Sequence, residues 1–250
     1  GVGRVLTLMP CQWIDGWPIL GDENGKVPET MPQGGDEIAG TNLVTSDDFN
    51  DDKLSLFWQW NHNPIDEAWS LTERKGYLRL RTNKVVQNVY EARNTISQRM
   101  EGPRCMASVT FDLNKMKDGD RCGFAAFNGH SGLLTIARND RDLTLTQSNT
   151  VVNLTDRDKA VTSVDEDIIE TVTLKAKTVS LRIDADFTPG KDIATFYYKV
   201  GNGEWHKPYK MRFDYRRLFM GTRYAIFNYA TKQSGGYVDI DSFNYHLLRK

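Results

Sequence analysis

Histidine and cysteine are scarce in this chain, at four and three residues among 250. Cys11, Cys105 and Cys122 fit no zinc-ligand spacing, and His62, His130, His206 and His246 are scattered, which argues against a Cys/His metal site. Cys105 and Cys122 fall in neighbouring candidate strands, where one disulfide is geometrically feasible; three buried thiols are the alternative. An excess of either charge is also missing. Thirty-two basic and 33 acidic side chains give a formal net charge of −1, so there is no bulk electrostatic attraction to nucleic acid or to an anionic membrane. No apolar run approaches the ~20 residues that span a bilayer. No secretion leader is visible, but residue 1 is Gly rather than Met, so that absence carries no weight. Nucleotide-binding loops, a nucleophile elbow and an HExxH pair are absent, and no segment keeps a helical spacing of apolar residues.

What the chain has in quantity is strand pattern and aromatic mass. The stretch Leu56-Phe57-Trp58-Gln59-Trp60-Asn61-His62-Asn63-Pro64 predicts a strand with Leu56, Trp58 and Trp60 on one face. Pro64 ends it, because proline offers no backbone donor and restrains the residue before it. With Trp69, Tyr77, Leu78 and Leu80 close behind, this region reads as the central hairpin of an all-β domain. Candidate strands follow at 54–60, 76–81, 90–99, 104–113, 121–128, 132–138, 142–148, 168–176, 178–185, 193–200, 223–230 and 236–247. Turn residues such as Lys75-Gly76, Asn139-Asp140, Pro189-Gly190 and Gly235-Gly236 separate them. Leu181, Ile183, Ala185 and Phe187 hold alternate positions with polar residues between. Strands this numerous and this short predict a two-sheet antiparallel sandwich or jelly roll.

The first part of the chain differs. Residues 1–22 predict two short strands, with Asp15-Gly16 as a type I′ turn between Trp13-Ile14 and Trp17-Pro18. They are too few to make a core of their own. Residues 23–41 are rich in Gly, Pro and acids, a linker composition. A sandwich domain is expected over 42–250.

Three sets of residues suggest chemistry. His62, in an Asn-His-Asn turn, is either an acid/base group or a turn histidine donating to backbone. Asp47 and Asp241, near the first and last sandwich strands, are a candidate calcium pair with carbonyls near 47–51, since calcium wants several hard oxygens. Solvated turn carboxylates give the same pattern. Among aromatics, Trp58 and Trp60 read as core, whereas Trp205 and Tyr209, in the polar stretch 202–210, are candidates for exposed sugar-stacking rings.

Longer motifs then give a resemblance. Trp58-Gln59-Trp60-Asn61-His62-Asn63-Pro64, Trp69-Ser70-Leu71 and Gly76-Tyr77-Leu78-Arg79-Leu80 resemble the start of the C-terminal concanavalin A-like sandwich of family 43 glycoside hydrolases. So do Ala92-Arg93-Asn94-Thr95-Ile96-Ser97-Gln98-Arg99, the run from Gly221 to Lys232, and the closing Gly235-Gly236-Tyr237-Val238-Asp239-Ile240-Asp241-Ser242-Phe243. Gly3-Arg4 and Trp13-Ile14-Asp15-Gly16-Trp17-Pro18 look like the last strands of the five-bladed β-propeller that precedes it. The resemblance covers nearly the whole chain.

It implies an all-β chain in which strands of an incomplete propeller precede a concanavalin A-like antiparallel sandwich. It also implies an inverting β-xylosidase or α-L-arabinofuranosidase as the parent protein. Such an enzyme uses a carboxylate base, a carboxylic acid and a third acid that tunes them. In the family all three lie in the propeller upstream of residue 1, so no catalytic residue is assigned here. No cofactor is required. Arg4 matches a pocket-lining arginine of the last blade, whose guanidinium fork suits sugar hydroxyls or a carboxylate; a blade-closing or surface arginine is the alternative. Phe219, in the loop before Gly221, is the candidate aromatic that leans over the pocket; core packing is its alternative. The expected partners are xylan or arabinoxylan oligosaccharides and the missing propeller, in the same or a separate chain. A free module that binds plant cell-wall polysaccharide is a second expectation, through rings such as Trp205.

Overall fold

The computed structural model describes residues 2–3, 9–22, 24–28, 43–206, 209–213 and 220–248. The chain forms two compact units, one of Arg4–Asn42 and one of Gly1–Gly3 with Leu43–Lys250. In the smaller unit, β1 (Cys11–Ile14) and β2 (Trp17–Leu20) make an antiparallel hairpin. Asp15 and Gly16 both take positive φ, 49° and 82°, as a type I′ turn demands. Every residue of both strands is exposed.

The larger unit is a sandwich. Its strands are β3 (Gln59–Trp60), β4 (Trp69–Ser70), β5 (Leu78–Arg81), β6 (Ile96–Arg99), β7 (Arg104–Asp112), β8 (Asp120–Phe127), β9 (His130–Asn139) and β10 (Asp142–Leu154). They continue with β11 (Val161–Thr173), β12 (Thr178–Asp186), β13 (Ile193–Val200), β14 (Tyr209–Arg212), β15 (Arg223–Ala230) and β16 (Tyr237–Leu247). One sheet runs β11-β10-β9-β8-β15-β6-β3 and the other β14-β13-β12-β7-β16-β5-β4. All the strand pairings are antiparallel. Adjacent hairpins such as β12–β13 hold one register throughout, so Leu181, Ile183 and Ala185 face inward together.

The core lies between the sheets. Phe111, Phe124, Phe196, Tyr224 and Phe243 are fully buried there with Leu78, Leu80, Leu134, Leu181 and Ile183. Phe124 and Tyr224 stack at 5.6 Å between ring centres. A second apolar cluster lies on the outer face of the first sheet. Val86, Val89 and Tyr90 of the β5–β6 connection cover Ala125, Phe127, Leu133, Ala225, Phe227 and Tyr229. The Tyr90 hydroxyl bonds Ser131 at 2.9 Å and Thr150 at 3.1 Å, which ties the cover down.

Several expectations change. The stretch 54–60 is not a central hairpin: only Gln59–Trp60 is strand, and β3 lies at a sheet edge. Trp58 N bonds Ser55 O at 3.1 Å, which turns the chain at Leu56-Phe57 and leaves Leu56 99% exposed. Trp58 is buried as expected, with its indole N–H donating to Asp47 at 2.7 Å. All three cysteines are free thiols. Cys105 and Cys122 are buried but lie in β7 and β8, which belong to opposite sheets, and Cys11 is exposed rather than buried.

Candidate functional site

The corner that the resemblance points to is built from glycine. Gly3 forms an antiparallel bridge with Met220. A Cβ on Gly3 would lie 2.4 Å from Gly221 N, and one on Gly221 would lie 2.3 Å from Val2 O. Gly3 also takes φ 81°. No side chain can occupy either place without parting the backbones. Asn128, buried on the neighbouring turn, donates to Met220 O at 3.0 Å and so holds the other side of the bridge. Met100 N bonds Thr222 O at 3.2 Å. Arg223 follows, donating to Gln59; its burial, then the neighbouring Arg99, pull its pKa below the ordinary value. In sequence, Arg4 follows Gly3 and Phe219 precedes Met220. Arg4 and Phe219 themselves lie outside the described residues.

The other candidates separate. His62 Nε2 is 2.7 Å from the Tyr90 carbonyl and donates to it, so this histidine braces the cover over the first sheet. Trp205 is 37% exposed, and the Lys199 ammonium lies 5.4 Å from its ring centre. Tyr209 is not an open platform: it stacks on Phe196 at 5.8 Å and its hydroxyl accepts from Asn149.

Asp47 Oδ1 accepts from Phe49 N at 2.9 Å and Oδ2 from the Trp58 indole at 2.7 Å. It borders a hollow of about 460 Å³ with Asp48, Asp51 and Lys53, and Asp241 is not among the residues that line it. Asp241 is exposed, at a register shift in the pairing of β16 with β7. Among the described residues, no three His, Cys, Asp or Glu side chains come together to hold a metal ion.

One cluster went unforeseen. Asp239 accepts from Arg79 Nε at 2.7 Å, Arg79 Nη2 at 2.9 Å and Arg74 Nη1 at 2.9 Å. Arg74 Nη1 also donates to Asp112 at 2.7 Å, and its guanidinium lies 3.6 Å over the Tyr77 ring. Burial works to raise the Asp112 pKa, but the Arg74 bond and two from Asn114 hold it below the usual carboxylate value. The Asp112 and Asp239 bonds drive the Arg74 pKa still higher, and the Asp239 bond does the same for Arg79. Arg74, Arg79, Asp112 and Asp239 together border a hollow of about 510 Å³. The alternation of Asp239 in its strand was visible in the sequence; its partners, 160 and 165 residues away, were not.

These features define a two-sheet antiparallel sandwich of concanavalin A-like architecture. Residues 46–246 match the beta-xylosidase C-terminal concanavalin A-like domain, and the chain belongs to that family. A beta-xylosidase of Formosa agariphila is 29% identical over 97% of this chain and 43% of its own length. A bifunctional GH43-CE protein of Bacteroides eggerthii is 36% identical, with a TM-score of 0.80 over 99% of this chain and 31% of that one. An engineered GH43 glycoside hydrolase displaying both endo-xylanase and exo-arabinofuranosidase activity is 26% identical, with a TM-score of 0.81 over 99% of this chain and 50% of that one. The chain thus spans half or less of the length of each of these three relatives.

Proposed function

We propose that this chain is the C-terminal part of a glycoside hydrolase that removes xylose or arabinose from xylan or xylo-oligosaccharides. In this reading the sandwich props a β-propeller and walls its active site, and residues 4–22 belong to that propeller's last blade, while Gly1–Gly3 group with the sandwich. The catalytic carboxylates belong to the propeller, and the sandwich adds positioning, not proton transfer. One observation carries the reading. The two residues that the resemblance assigns to the sugar pocket, Arg4 and Phe219, are sequence neighbours of the two halves of a single bridge, Gly3 with Met220. They are more than 200 residues apart in sequence, yet the clasp beside them leaves no room even for a methyl group. The bare hairpin adds support: Trp13 and Trp17, each 72% exposed, are large apolar faces that a blade would cover.

The test compares the protein carrying the propeller with the 250-residue chain on an aryl β-xyloside and an aryl α-L-arabinofuranoside. Hydrolysis is expected from the longer protein only. In that protein, Gly221→Ala should raise KM at least about tenfold with a smaller change in kcat, because it moves the pocket wall and leaves the acids in place. Turnover by the 250-residue chain alone, or an unchanged KM in the variant, overturns the reading.

A further inference from the structure

We propose that the hollow over β5, β7 and β16 binds the carboxylate of an acidic sugar. Its rim carries four cations, Arg74, Arg79, Lys115 and Lys177, against two carboxylates, Asp112 and Asp239. Both oxygens of each carboxylate are already engaged. Both oxygens of Asp239 take arginine N–H groups, Asp112 Oδ2 takes Arg74, and Asp112 Oδ1 takes the Asn114 backbone and side chain at 3.0 and 2.7 Å. What remains is donor capacity. Among the described residues, the Nε and Nη2 edge of Arg74 and the ammonium groups of Lys115 and Lys177 have no partner. A guanidinium edge with two parallel N–H groups is the fork that matches a carboxylate.

The fork is held ready. Stacking on Tyr77 and two ion pairs fix the Arg74 plane. The lysine backbones are fixed as well: Tyr237 N bonds Lys115 O at 3.2 Å and Leu113 N bonds Lys177 O at 2.8 Å. The net charge of the rim is positive in a protein whose total is −1. A volume of about 510 Å³ is that of a sugar-sized site rather than a single-ion one. The anion site stands on this geometry alone; the choice of a sugar as carrier rests on the glycosidase reading.

Titration calorimetry on the 250-residue chain tests it with three probes: a xylo-oligosaccharide bearing one glucuronic acid branch, the same oligosaccharide unbranched, and inorganic phosphate. The acidic oligosaccharide should bind at least about tenfold tighter than the neutral one, and added salt should weaken it. Lys115→Ala with Lys177→Ala should lose about tenfold or more with an unchanged melting temperature, since both side chains are exposed. Arg74→Lys, which keeps charge but removes the fork, should lose a similar factor. Equal affinity for acidic and neutral sugars, no binding of any probe, or full binding by the lysine variant overturns the site. Phosphate binding as tight as the acidic sugar overturns the sugar class. Binding is read without hydrolysis, so an inactive chain leaves the outcome untouched.

Discussion

Strands β8 and β15 are buried at almost every residue and β9 along its middle, whereas β7, β12 and β13 alternate buried and half-buried positions. The first group belongs to the sheet whose outer face is covered by Val86, Val89 and Tyr90; the second belongs to the sheet whose outer face carries no such apolar cover among the described residues. A covered sheet demands apolar side chains on both faces, as in Phe124-Ala125-Ala126-Phe127, and a bare one demands them on one. The bare face therefore has room for charge, and there the Arg74, Arg79 and Asp239 network sits.

The largest effect should come from equivalent outward positions on the two sheets. Phe227→Ala opens a cavity under the cover and should lose about 4 kcal/mol in urea unfolding, because Phe227 is fully buried. Tyr197→Ala, half-buried on the bare face beneath Arg182, should lose about 1 kcal/mol or less. Similar losses at both positions would break the distinction between the sheets.

A smaller effect sharpens the picture within the bare face. Asp239→Asn removes a carboxylate only 5% exposed from two arginines and should cost about 2 kcal/mol. Asp184→Asn, in a pair whose side chains are 28% and 24% exposed, should cost less than about 1 kcal/mol. Unfolding curves at low and high salt check this, since only the exposed pair should converge with wild type as salt rises.

The smallest effect is a difference of sign with pH. Asp112 is held below its ordinary pKa, so its contribution is complete above the unfolded value, about 4, and fades as pH falls through the folded one. Asp120 is raised by burial, against a 2.7 Å bond from Lys117 N. Its penalty is absent below the unfolded value and grows as pH rises through the folded one. Asp112→Asn should thus lower the melting temperature more at neutral pH than near pH 3, and Asp120→Asn should raise it by about 2 °C at neutral pH only. Parallel shifts at both pH values would contradict these assignments.

The same contrast explains what the sequence told. Bare-sheet strands were legible because Leu181, Ile183 and Ala185 alternate with Arg182 and Asp184. β11 was half missed: apart from the half-buried Val161 and Val164, residues 161–167 are polar and exposed, an edge held mainly by its ladder to β10. Tyr209–Arg212 was missed because four residues at an edge carry too little pattern. The predicted strand at 54–60 shrank because Trp58 is buried by contacts, such as that with Asp47, which need no strand. The charged cluster was illegible for another reason. Its members come from three strands and the turn before β5, and spacing along a chain says nothing about pairing across a sheet. The glycine clasp was half legible: the resemblance picked out Arg4 and the loop before Gly221, but nothing in sequence showed that Gly3 and Met220 meet.

That clasp bears on how such a protein can be passed between genes. The sandwich is discontinuous, its main segment starting at Leu43 while Gly1–Gly3 belongs to it as well. A recombination breakpoint at residue 43 would inherit fourteen strands yet leave the edge at Met220 and Gly221 without its partner. The inheritable unit is therefore longer than the domain a contact map would draw. Hairpin and sandwich would tend to travel together through evolution, since the three residues that seat the sandwich lie on the far side of the hairpin.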